Sequence, residues 1–190
     1  GKDKAVIKVW KGLEVVLIKT IDKCRIDQLE IECRSIAKEY RVPFSNIIAD
    51  EDGVGGGLVD NMYGIKGFVG NSTPLEENGR SVNFKNLRSQ CYYKLSDYVN
   101  NHKISIHCEE ESIKQSIIEE LEQIKGEAMD SDQKFRVISK DKIKEVIGKS
   151  PDYADTLMMR MWFELRPTFI QPDLEIEIAN NHEQLSTQWE

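Results

Sequence analysis

The run Asn46-Ile47-Ile48-Ala49 passes directly into Asp50-Glu51-Asp52 and then into Gly53-Val54-Gly55-Gly56-Gly57. So short an apolar stretch, closed by glycines, suits a strand better than a helix. A strand that ends in acids and leads into a glycine-rich turn sets carboxylate oxygens at the rim of a sheet, where hard divalent cations bind. Two phosphate-cradling readings of these glycines fail. A dinucleotide loop opens a helix directly from its first strand, and here three carboxylates stand ahead of the glycines and would repel a pyrophosphate. A nucleotide P-loop needs a lysine after its glycines, and none follows. The turn is either purely structural or an open approach to Asp50.

A second acidic station, Asp152 and Asp155 in Ser150-Pro151-Asp152-Tyr153-Ala154-Asp155, begins a strongly apolar helical stretch. Three residues apart on a helix, the two acids share one face. Asp152 reads equally well as part of a helix cap, behind Ser150 as N-cap and Pro151 at the first position. Asp155 is harder to dismiss. Its neighbours Ala154, Leu157 and Met158 predict a partly buried position, and an unpaired buried acid costs too much to be idle. Two carboxylate stations from distant parts of a chain suit metal-dependent phosphodiester chemistry, in which acids from separate elements hold metals roughly 3.5–4 Å apart.

Around these stations the hydrophobic pattern predicts a mixed sheet flanked by helices. Ala5 to Trp10 and Leu13 to Ile21 are β-rich runs joined at Lys11-Gly12, a hairpin. Helical spacing follows from Arg25 to Tyr40 and stops before Pro43. The strand at 46–50 leads to a short helix at 58–63 and a strand at 67–70. Residues 71–83 form a polar loop. Helices are predicted through Leu87 to Val99, Ile113 to Ile124, Asp141 to Ile147 and Asp152 to Leu165, with short strands at 104–106 and 135–138 and a surface turn at 126–133. One domain, residues 1–167, and a tail, 168–190, are expected of 190 residues.

Composition narrows the chemistry further. No apolar run approaches the roughly 20 residues that cross a bilayer, so a cytoplasmic protein without membrane partners is expected. Cys24, Cys33, Cys91 and Cys108 lack Cys-x-x-Cys spacing and read as packing residues. His102, His107 and His182 fit no metalloprotease pattern and read as surface histidines. Tyr92, Tyr93 and Tyr98 read as core. The net charge of -7 argues against indiscriminate nucleic-acid binding. Yet Lys134, Arg136, Lys140, Lys142, Lys144 and Lys149 crowd one short stretch, which suits either a phosphate-tracking strip or a solvated helix face. Lys85 and Arg88, at the opening of a helix, are further candidates for phosphate contact.

Taken in order, Gly1-Lys2-Asp3-Lys4 before Val9-Trp10-Lys11-Gly12, Ile48-Ala49-Asp50-Glu51-Asp52-Gly53-Val54-Gly55-Gly56-Gly57, Phe84-Lys85-Asn86-Leu87-Arg88, Ser139-Lys140 and Lys149-Ser150-Pro151-Asp152-Tyr153-Ala154-Asp155 resemble the C-terminal nuclease domain of the large terminase subunit of tailed bacteriophages. The resemblance covers about residues 1–165. It implies a ribonuclease-H-like fold and an endonuclease that uses Mg2+ or Mn2+, two ions in the complete domain, to cut concatemeric double-stranded viral DNA during packaging. By position, it assigns Asp50 and Asp155 as catalytic metal ligands, Asp152 as an auxiliary ligand and Glu51 as an alternative to Asp50. Lys85, Arg88, Lys140 and Lys142 are the expected DNA contacts. The family's first catalytic Asp lies on an opening strand ahead of the Gly-Lys-Asp motif. The resemblance therefore implies a domain without that strand, weakly active or inactive alone. The implied parent protein is phage- or prophage-encoded, with an ATPase motor and the small terminase subunit and portal as partners. The competing reading from the binding class is a noncatalytic DNA-holding or portal-docking module.

Overall fold

The computed structural model describes residues 4–22, 25–53, 55–127 and 133–166. The hairpin is present as β1 (Lys4–Lys11) and β2 (Glu14–Asp22), antiparallel from Lys4↔Asp22 to Lys11↔Glu14 with an irregularity at Val9/Trp10. Its turn uses Gly12 at φ +63°, a left-handed conformation that costs glycine little. α1 (Ile26–Glu39) buries Leu29, Cys33, Ile36 and Ala37, the face its spacing predicts.

The next strand is shorter than its sequence suggests. Pro43 and Phe44 accept hydrogen bonds from the Asn46 and Ile47 amides at 2.9 and 3.0 Å. These close a 3-10 turn over Phe44–Asn46, so β3 spans only Ile48–Asp50. α2 (Gly56–Asn61) starts inside the glycines, earlier than the expected Leu58. β4 (Lys66–Phe68) lies parallel to β3 with Asp50 opposite Phe68.

The second half follows its periodicity more closely. α3 (Leu87–Asn100) is capped by the Asn86 side chain, which accepts from the Ser89 amide. β5 (Ser105–Ile106) adds in parallel to β2, and α4 (Glu111–Glu122) follows. The expected surface turn at 126–133 opens with a strand, because β6 (Gly126–Glu127) pairs antiparallel with β7 (Arg136–Val137). α5 (Lys140–Ile147) is capped by Ser139 and ends at Gly148, φ +71°. α6 (Asp152–Leu165) buries Leu157, Met158, Met161, Trp162 and Leu165 as expected. Its N-cap, however, is Pro151, with no side-chain cap; Ser150 does not serve. The tail at 168–190 and Cys24 lie outside the described residues. Cys33 and Cys91 are buried, as packing residues should be.

Two cores fix the layers. One joins α3, α4 and α6 with Val6, Trp10, Ile18 and Ile48 on the strands. The other joins α1 and α2 with Ala5, Ile7, Ile21 and Ala49. Strand residues alternate between them, as a period of two requires. Hence β1–β2–β5 and β3–β4 both lie between the same two helical layers, and α6 packs against β1 and β3 alike. One edge of β1 and one edge of β3 carry no strand partner among the described residues. No helix among those residues is long and apolar enough to cross a membrane.

Candidate functional site

The alternation along β3 decides which acids can meet. Ile48 faces the α6 layer and Ala49 the α1 layer, so Asp50 points toward α6 and Glu51 away from it. The carboxylate of Glu51 indeed lies over Gly67 of β4, where a Cβ would collide with it. Past Asp50 the chain folds back so tightly that a Cβ on Gly55 would sit 2.5 Å from the Asp50 carbonyl oxygen. Only glycine tolerates that approach, which explains the glycine at position 55.

Asp155 reaches the same point from the first turn of α6. It is 6% exposed, and each of its oxygens has a separate partner. Tyr92, on α3, donates its hydroxyl to Oδ1 at 2.7 Å. Lys140, the first residue of α5, places Nζ 2.9 Å from Asp155 Oδ2 and 2.9 Å from Asp50 Oδ2. Burial alone would lower the Lys140 pKa, but the charges of Asp155 and Asp50 override it and hold the ammonium above the ordinary lysine value. Burial first, then the charge of Asp155, pushes the Tyr92 phenol well up, so it remains a donor. Arg88 stacks over the Tyr92 ring, donates Nη1 to the Ile138 carbonyl at 2.8 Å, and brings Nε to 3.8 Å from Asp155 Oδ1. Its Nε and Nη2 are buried without a hydrogen-bond partner.

Asp50, Asp155, Lys140 and Arg88 line a cleft of about 430 Å3 that also includes Asp52, Asn71 and Ser139. Asp52 accepts from the Gly70 amide at 3.3 Å. Of the residues singled out in the sequence, Asp50, Asp155, Lys140 and Arg88 are brought together. Asp152 does not line the cleft; its charge acts on Lys8 and Glu120 behind α6. Lys85 is exposed, its amide bonded to the Phe135 carbonyl. Lys142 is paired with Glu127 at 2.6 Å and Lys149 with Glu119 at 2.8 Å, so much of the basic strip is folded onto neighbouring acids. No group of three or more His, Cys, Asp or Glu among the described residues is arranged to hold a metal ion. What converges is a carboxylate pair around a lysine.

Sequence reasoning missed Tyr92 as a partner of Asp155, since its helical spacing marks it only as core. It also missed Glu120, a buried acid on α4 whose Oε2 accepts the Ala154 amide at 2.9 Å. The one local signal was an acid at a position that buries its helix face, four residues before Ile124 in the apolar series.

No family model matches the chain, and no curated protein matches it. Solved structures do. The nuclease domain of the large terminase subunit gp2 of bacterial virus Sf6 superposes with a TM-score of 0.70 and 26% identity over 85% of this chain and 83% of that one. A Lys→Ala variant of the same domain with manganese superposes at 0.65, with 26% identity over 79% of each chain, and a variant with calcium at 0.70 and 26% identity. The chain thus has the ribonuclease-H-like fold of terminase nuclease domains, and the resemblance drawn from its motifs stands.

Proposed function

We propose that this protein is a divalent-metal-dependent endonuclease domain acting on double-stranded DNA in phage or prophage genome packaging, with Asp50 and Asp155 as its metal-holding carboxylates. Lys140 carries this reading. Its ammonium stands 2.9 Å from an oxygen of each, marking the point where carboxylates from a strand end and a helix start share one cation. The likeness to terminase nuclease domains, some solved with manganese or calcium, supports the same reading.

The donors fit the group they would hold. Hard carboxylate oxygens suit Mg2+ or Mn2+, and a cation already bridges them. When bound, the metal would polarise a phosphoryl oxygen and lower the pKa of attacking water. The protein's own residues do the rest. Tyr92 fixes Asp155 Oδ1, leaving Oδ2 turned to the cleft, in the way that outer hydrogen bonds orient metal ligands. Lys140, which stands between the two carboxylates, would give way to a bound ion and could neutralise a phosphate oxygen. Arg88 backs Asp155 from the inner wall. Lys85, on the exposed lip beside Arg88, contributes phosphate contact, and Lys142 does so only on leaving Glu127.

Two carboxylates are a partial set for two ions. Asp52, in the same cleft, is a further donor in reach of rearrangement; Glu51, turned over Gly67, and Asp152, behind α6, face away from it. The test is manganese-dependent nicking of supercoiled plasmid by the native protein. Cleavage is expected to fall to background in both Asp155→Ala and Asp50→Ala. Retention of cleavage in either variant would overturn the assignment.

A further inference from the structure

The first turn of α6 lacks what its sequence promised, a local cap. Pro151 occupies the N-cap with no side-chain acceptor, and Tyr153 and Ala154 are 4% and 0% exposed. Their amides therefore cannot turn to water, and a buried orphan amide costs about as much as a lost hydrogen bond. The acceptor comes from another element. Glu120 of α4, itself 1% exposed, reaches the Ala154 amide at 2.9 Å with Oε2 and also takes the Tyr153 amide. A carboxylate at this end also complements the helix dipole. At the same turn, Lys8 of β1 donates to the Tyr153 carbonyl at 2.7 Å and to Thr156 Oγ1. Asp155 is the next residue after the capped amide, and its own amide bonds to the Pro151 carbonyl at 2.8 Å.

From this geometry we infer that Glu120 is a positioning residue for the cleft: by capping α6 from α4 it sets the first helical turn, and with it the direction in which Asp155 presents Oδ2. Glu120 holds the backbone of α6, and its charge also acts on Tyr92 and Lys8. A carboxylate spent on two amides in a dry interior is otherwise an expensive way to end a helix, since a local Ser or Asp would do so at the surface. Its use here ties the orientation of one ligand to the packing of α4 on α6. The inference rests on Asp155 being a metal ligand.

The experiment is Mn2+ binding, followed by electron paramagnetic resonance of the free ion, on the native protein and on Glu120→Ala, Glu120→Gln and Asp155→Ala. Thermal unfolding identifies the folded variants. Glu120→Gln keeps an oxygen acceptor at the same reach and is expected to bind Mn2+ within about twofold of native. Glu120→Ala is expected to lose on the order of tenfold or more in affinity, the range seen when a ligand's orienting partner is removed. If Glu120→Ala does not fold, Glu120→Asp, one methylene short of the amides, is expected to show the same loss. A folded Glu120→Ala or Glu120→Asp with native affinity would overturn the positioning role alone. Native protein that binds no Mn2+, or Asp155→Ala that binds it undiminished, would instead sink the metal reading beneath it.

Discussion

Asp50 and Asp155 share one lysine but are held in opposite ways. Asp50 ends a three-residue strand, its side chain is 29% exposed, and Lys140 is its partner in the cleft. Asp155 lies on a buried helical turn, 8% exposed as a side chain, with Tyr92 on one oxygen, Lys140 on the other and Arg88 behind. One carboxylate is pre-oriented by the protein, and the other is steered by whatever cation sits between them. Preorganisation of this kind is built from groups outside the ligand itself. The pair therefore divides the work: Asp155 supplies a fixed direction, and Asp50 supplies adaptability at the rim.

Substitution separates the two roles most sharply. Asp155→Ala and Asp50→Ala are both expected to abolish cleavage, yet only the first should cost the fold dearly. Removing Asp155 leaves Arg88 buried beside an apolar methyl and Tyr92 without an acceptor. Breaking a buried pair on one side costs about 3 kcal/mol. Asp50→Ala breaks a half-exposed pair, worth less than about 1 kcal/mol. Urea unfolding of the two variants checks the contrast, and equal losses would show that Asp155 is no more embedded than Asp50.

Tyr92→Phe sharpens the comparison from the other side. It removes only the donor to Asp155 Oδ1, at about 2 kcal/mol for a hydrogen bond to a charged group, and should weaken Mn2+ binding by roughly tenfold. Lys140→Ala should act in the opposite direction on the metal. With no ammonium competing for Oδ2 of both acids, Mn2+ affinity should rise even if cleavage falls, measurable by titration calorimetry. Weaker binding in that variant would mean that Lys140 gathers the carboxylates and does not compete for them.

How far the sequence revealed this arrangement depended on distance along the chain. Helices were legible because their signals are local: the spacing of Leu29, Cys33 and Ile36, or of Leu157, Met158, Met161 and Trp162, sits within a few residues. The two acid stations were legible for the same reason, since Asp50 precedes its glycines and Asp155 sits among Ala154, Leu157 and Met158. β3 was overextended because the hydrogen bonds that make the 3-10 turn at Phe44–Asn46 leave no mark in hydrophobicity. Tyr92 and Glu120 were hidden by tertiary structure. Each lies on a helix whose periodicity explains it as packing, and only the docking of α3 and α4 onto α6 reveals a hydrogen bond to Asp155 or to its turn. Lys140 was assigned to DNA contact from its charged surroundings, and nothing in its neighbourhood signals that it would point inward to two carboxylates.

The last contrast lies behind α6 and is read by pH. Behind the helix, burial pushes the Glu120 carboxyl up to about 7 from 4.5, and burial pulls the Lys8 ammonium down to about 7 from 10.5 against the charges of Glu120, Asp152 and Asp155. An acid with a raised value contributes stability that is full below its unfolded pKa and is lost as pH rises through the folded one. Glu120 therefore penalises folding progressively between about pH 4.5 and 7. A depressed lysine contributes stability present above its unfolded pKa and lost as pH falls toward the folded one, so Lys8 penalises folding between about 10.5 and 7. The two windows meet without overlapping, and both penalties are complete near neutrality. Relative to native protein, Glu120→Gln should flatten only the acid limb of the urea-midpoint profile, and Lys8→Met only the alkaline limb. A variant that altered both limbs would show that the two groups titrate as one unit, and that the back of α6 is held by a single shared proton and not by two independent clamps.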